Sequence, residues 1–190
     1  MEIVPAIAKA FFQTLDKEIG PFDRPFQFHP FPFDAGGSLN FLTVGAGREE
    51  FVTYVSWDLL GHPEQKRGAL GRYELLAVCN NAEWCADVLT NVGRQGLEEL
   101  LQPGDTMDIA GWVGASSALQ GLIFEEGLRV RLEVAGRPEA CGLLRCIGVC
   151  RSELEYAMRH GVRALAEHLA RAEVYPRTAL SRAAIELPPG

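Results

Sequence analysis

The chain of 190 residues is 47% hydrophobic and 23% charged, with a formal net charge of −7. That length and balance provide for one well-buried core and exclude an intrinsically disordered chain. The acidic surplus argues against nucleic-acid binding, which needs clustered Lys and Arg, and it suits a partner with a basic patch.

In chain order, Ile3, Val4, Ile7, Ala8, Phe11, Phe12, Leu15 and Ile19 share one face of a helix expected over residues 2–18. Glu2, Lys9, Asp16, Lys17 and Glu18 interrupt it too often for a signal-peptide core. No apolar run approaches the roughly 20 residues that cross a bilayer. A cytoplasmic protein without membrane contact is therefore expected. Gly20 and Pro21 stop the helix, and residues 21–33 alternate prolines with phenylalanines. Proline removes amide donors and favours extended backbone, so this stretch reads as an edge segment or wrapped arm, packed internally or offered to a partner.

Strands are expected over residues 39–45, 50–57 and 71–79, with a polar loop over 58–70. Asn80 and Glu83 have cap-and-return spacing at the start of a helix whose buried side carries Trp84, Val88, Leu89 and Val92. Gly93 and Gly96 mark a break or a close crossing. After Pro103 and Gly104 comes a strand holding Met107 and Ile109, then a small-residue loop and a short strand at residues 121–126. Leu128, Val130, Leu132 and Val134 alternate strictly with Arg129, Arg131 and Glu133, the pattern of a sheet with one wet face. Residues 140–149 are almost continuously apolar and belong in the middle of the sheet. Ser152 and Glu155 have capping-box spacing ahead of the stripe Leu154, Met158, Val162, Leu165 and Leu169. The expected fold is α/β: a mixed, largely antiparallel sheet flanked by an N-terminal helix, a central helix and a long C-terminal helix. It forms one domain over 1–190, with helix and Phe/Pro arm in 1–35, core in 36–175 and an extended tail in 176–190.

The chain lacks a phosphate-binding glycine loop, a G-x-S-x-G elbow and an H-E-x-x-H pair. Its five cysteines are expected to be reduced thiols. Cys141, Cys146 and Cys150 lack the paired C-x2-C spacing of zinc sites, and in a strand Cys141 faces away from the other two. They read as small buried hydrophobes. His160 and His168 read as a solvated pair on the last helix, and Glu49–Glu50 and Glu125–Glu126 as solvated carboxylates. His62 follows Trp57 and Asp58 in a loop. Paired with Cys79, Cys85 or Cys150 it defines the alternative function, a small cytosolic hydrolase or transferase with an activated thiolate. No cofactor or metal is expected.

Five blocks in order resemble the suppressor of fused (SUFU-like) domain family, bacterial type: VTYVSWDLLGHPE (52–64), YELLAVCNNAEW (73–84), PGDTM (103–107), ASSALQGLIFEE (115–126) and CIGVCRSELEYAMRHGVRALAEHL (146–169). They include the Glu74-Leu75 strand leading to Trp84, the turn Gly104-Asp105-Thr106 and the helix start Glu153-Leu154-Glu155. Cys150 stands where the family tends to have proline. The resemblance implies an α/β sandwich that binds proteins: transcription factors of the Hedgehog pathway in animals, toxins neutralised by immunity proteins in bacteria. It carries no catalytic residues. The reading is thus a non-enzymatic domain that binds a cognate toxin or a regulatory protein and does not bind nucleic acid. Interfaces centre on aromatic anchors, so Trp57, Asp58, His62 and Trp112, all in loops, are the candidate partner-binding residues.

Overall fold

Alternation of side chains along the strands gives the sheet two apolar faces, and helices cover both. The computed structural model describes residues 6–23, 39–60, 62–114, 116–134 and 137–188. Its elements are α1 (Ala6–Glu18), β1 (Phe41–Val44), β2 (Val52–Ser56), β3 (Arg72–Cys79), α2 (Ala82–Glu98), β4 (Thr106–Asp108), β5 (Leu119–Val134), β6 (Arg137–Cys150), α3 (Arg151–His160) and α4 (Val162–Arg171). The strands lie in the order β1-β2-β3-β6-β5-β4, and only the central pair β3–β6 is parallel. This is the mixed, largely antiparallel sheet that the alternation calls for. Tyr73, Leu75, Phe124, Leu144 and Cys146 pack with Val88, Leu89 and Val92 of α2. On the other face Leu76, Leu132 and Leu143 meet Phe11, Phe12 and Leu15 of α1. Beside them Ile123, Ile147 and Val149 meet Leu154, Leu165 and Leu169 of α3 and α4.

Several local expectations are corrected. The short strand at 121–126 and the alternating one after it are a single 16-residue strand, β5, with a register shift between Glu126 and Leu128. The cap of α2 is Asn81, one residue later than expected, whose side chain accepts from the Trp84 amide at 2.9 Å. Helix α2 runs unbroken through Gly93 and Gly96, which permit close approach: a Cβ there would come within 2.7 Å of Leu39 Cδ1 and Tyr73 Oη respectively. The long C-terminal helix is two helices, α3 and α4, parted at Gly161, whose φ of 91° lies outside the right-handed helical region. Its first turn starts at Arg151, and the Cys150 amide donates to Glu153 at 2.8 Å, so Ser152 and Glu155 are not the capping pair. Most of the Phe/Pro stretch, residues 24–33, lies outside the described residues. At its start Phe22 is buried, and the Asp23 amide donates to the Thr43 carbonyl of β1 at 2.7 Å.

The tail crosses the C-terminal ends of the two parallel strands. The Thr178 amide donates to the Val78 carbonyl at 2.7 Å, and its hydroxyl accepts from the Gly148 amide at 2.9 Å. Arg182 closes the strap by gripping Glu153 with both nitrogens, at 2.6 and 2.5 Å.

Candidate protein-binding groove

Strand β4 is short because its flanks are turns. The Asp105 carboxylate accepts from the Gln102 amide at 2.8 Å, and the Asp108 carboxylate from the Ala110 amide at 2.9 Å. Both are side chains mimicking a backbone turn. The Ala110 amide and the Arg151 guanidinium, 2.5 Å away, hold the Asp108 carboxyl below the usual range and tie α3 to the sheet edge. The chain then turns through Ile109, whose carbonyl accepts from the Trp112 amide at 2.8 Å, leaving the indole at the rim.

Beside β4 lies a groove of about 820 Å³, walled by the end of α2, the Gly104–Asp108 segment and α3. The large hydrophobic side chains exposed among the described residues are Leu100 (36%), Trp112 (38%) and Met158 (68%), and all three line it. Met158 was expected in the buried stripe; α3 instead buries Glu153, Leu154, Tyr156 and Ala157 and leaves Met158 exposed. Glu99, Asp105 and Asp108 supply the acidic lining. Leu100 and Met158 escape sequence reasoning because each follows the apolar pattern of a buried face, and only the packing shows that they are left uncovered.

Trp57, Asp58 and His62 come together in the β2–β3 loop, whereas Trp112 follows β4. The register places these loops at opposite ends of the sheet and next to opposite edges. Trp57 stacks on Phe12 of α1, ring centroids 3.6 Å apart. Asp58 accepts from the Asn40 amide at 2.9 Å and its side-chain amide at 3.1 Å, while burial keeps its carboxyl above the usual range. His62 Nδ1 accepts from the Glu64 amide at 3.3 Å, and its carbonyl from Arg72 at 2.9 Å.

Under this loop sits Glu74, fully buried. Its carboxylate accepts from the Ser56 hydroxyl and from the amides of Leu60 (2.7 Å) and Leu59 (3.3 Å). Desolvation outweighs those bonds and pushes its pKa up to about 8. Glu153 shows the opposite balance: burial raises it, but Arg182 and the amides of Ile185 and Cys150 carry the carboxyl below the usual range. One buried carboxylate has a cation and the other only neutral donors.

Topology separates the pairs required for thiolate chemistry. His62 lies near the start of β3, and Cys79 and Cys85 lie at and beyond its end, seven residue steps or roughly 23 Å away. Cys150, at the end of the parallel strand β6, is at that same far end. All five thiols are buried. Cys141 is pushed up to about 11 by desolvation, and Cys146 further still; Cys79 is lowered by the thiol of Cys85. Cys141 packs on the α1 face and Cys146 on the α2 face, as alternation requires, and no three His, Cys, Asp or Glu side chains among the described residues are grouped to hold a metal. His168 is not solvated as expected: it is half-buried, with its Nε2 3.2 Å from the Tyr156 hydroxyl, while exposed His160 stacks on the same ring at 4.4 Å. No helix of the described residues is long and apolar enough to cross a membrane.

Comparison with known proteins accounts for this architecture. The chain superposes on a crystal structure of the Sufu–Fu complex with a TM-score of 0.63 at 18% identity, covering 93% of this chain and 89% of that one. A SUFU homologue from Neisseria gonorrhoeae gives 0.64 at 14% identity, over 96% and 98% of the two chains. Drosophila Suppressor of Fused gives 0.62 at 17% identity over 93% of this chain, which spans only 49% of that relative. At such identities the likeness is one of fold. Among the curated proteins no sequence matches. The family model of the suppressor of fused protein (SUFU), however, matches residues 37–183, from just before β1 to the Arg182 strap, and the chain belongs to the SUFU family.

Proposed function

We propose that this protein is a non-enzymatic, cytoplasmic, single-domain binding module that captures a segment of a protein partner in the groove beside β4. The observation that carries the reading is the convergence of Leu100, Trp112 and Met158 on one groove at a sheet edge. Exposed aromatic and Met side chains gathered in a concave, polar-rimmed site are the features of an interface centre. The acidic lining and the formal charge of −7 favour a partner with basic residues flanking its apolar anchors. The family relation supports protein binding as the general role, since one relative is known in the Sufu–Fu complex. Within that role we favour an immunity or regulatory protein that neutralises its partner, with Trp112 as the anchor and Trp57, Asp58 and His62 as a separate, secondary patch.

Pull-down with the products of neighbouring genes, followed by calorimetric titration, tests the proposal. Trp112→Ala and Met158→Glu should each weaken binding at least tenfold while leaving the melting temperature unchanged, because both side chains are exposed. Unchanged affinity in both variants would reject the groove.

A further inference from the structure

The groove does not end at β4. Gly104 and Gly161 line both it and a second cavity of about 580 Å³, whose other walls include Phe124, Val162, Tyr175 and Glu125. The two glycines stand where the Pro103–Gly104 turn faces the α3–α4 break, and a Cβ at either would meet nothing within 4 Å. The passage between the cavities is therefore floored by backbone alone.

Glu125 is the unusual group inside. It was expected to be solvated, yet its Oε2 is buried and has no hydrogen-bond partner among the described residues. Its cross-strand neighbour Arg145 donates through one terminal nitrogen to the Tyr175 hydroxyl at 2.8 Å and lies 5.9 Å from the centre of that ring; the same hydroxyl engages the Glu125 carboxylate, and the Arg145 Nε is, like the Glu125 Oε2, buried without a partner among the described residues. The rim charges are also paired, Glu126 with Arg129 at 2.5 Å and Arg163 with Glu167 at 3.5 Å. What remains is a slot with aromatic and aliphatic walls and an unused carboxylate oxygen. A buried acceptor without a donor is costly, and a charge-assisted donor satisfies it best. An apolar stem ending in a cation matches the walls and the oxygen together.

We propose that this cavity receives one Lys or Arg side chain of the partner segment held in the β4 groove, with Glu125 as the residue that selects it. The inference rests on the groove reading above and adds the chemistry of one partner residue. Nα-acetyl-arginine methylamide, titrated against the isotope-labelled full chain, should shift the Gly104, Gly161 and Val162 amides saturably. Its neutral isostere, the citrulline derivative, should bind at least tenfold more weakly, and Glu125→Gln should remove the difference while the exposed Glu126→Gln keeps it. The comparison of the two probes on the unmodified chain stands even if Glu125→Gln disturbs folding. Equal affinity for both probes, or no shift at the three amides up to the solubility limit, overturns the proposal. A partner that depends on Trp112 but binds Glu125→Gln unchanged would reject it and keep the groove; the converse pattern would reject the groove and keep the cation site.

Discussion

Replacing Glu74 with Gln should remove a pH dependence of stability that originates under the β2–β3 loop. The folded carboxyl titrates near 8 and the ordinary value is 4.5. Between those values the native state holds a proton that the unfolded chain has released, so stability is greatest in acid and falls as pH rises toward 8, by about 1.4 kcal/mol per pH unit. The difference between the two values amounts to ~5 kcal/mol across the window. Gln cannot ionise. It retains an acceptor for the Leu60 amide and disturbs only part of the network, a cost of about 1–2 kcal/mol. The expected outcome is that Glu74→Gln is less stable than the parent at pH 4.5 and more stable at pH 9, the two curves crossing between about pH 5 and 6. Urea denaturation at matched ionic strength, repeated through that range, measures it, and the difference between the two curves cancels every other titrating group. Parallel curves would show that Glu74 is ionised throughout and refute the reasoning.

Three other outcomes are expected. Arg182→Ala strands the buried Glu153 carboxylate and should cost about 3–5 kcal/mol at pH 7 by chemical denaturation. Because the Glu153 pKa is depressed, its stabilisation exists above the unfolded value of 4.5 and is lost as pH falls, so the deficit of the variant should narrow in acid. Gly148→Ala would bring a methyl within 2.7 Å of Thr178 Cγ2 and 3.0 Å of Leu119 Cδ1, costing about 1–3 kcal/mol and accelerating amide exchange across residues 178–185. The five buried thiols should react with an aromatic disulfide reagent only as fast as the protein opens, Cys79 included; one thiol reacting fast in the native state would restore the hydrolase reading.

Much of the sheet is legible in the sequence because alternation and burial have the same cause. The strict pattern from Leu128 to Val134 specifies one wet face, seen in exposed Arg129, Arg131 and Glu133, and the apolar run before Cys150 specifies a central strand, seen in β6 between β3 and β5. What escapes is decided at long range. Ser152–Glu155 and Cys150–Glu153 have the same spacing, and the choice between them falls to Arg182, 29 residues further on. The apolar stripe through Met158 continues smoothly past Gly161, and nothing local announces that the helix stops there. The groove is assembled from the end of α2, the loop after β4 and the face of α3, so its three anchors share no motif. Trp112 was legible as an aromatic in a loop; Glu125, one of a carboxylate pair, was not legible as a buried acceptor.

Helix α2 leaves β3 toward one face of the sheet, and α3 leaves β6 toward the other. Adjacent parallel strands that diverge in this way open the crevice in which α/β proteins ordinarily seat nucleotides and other small ligands. Here Thr178 is bonded across that mouth and Arg182 bolts the plug to Glu153. The crevice that such an arrangement opens is stoppered from within, and the open groove lies at the flank of the sheet instead.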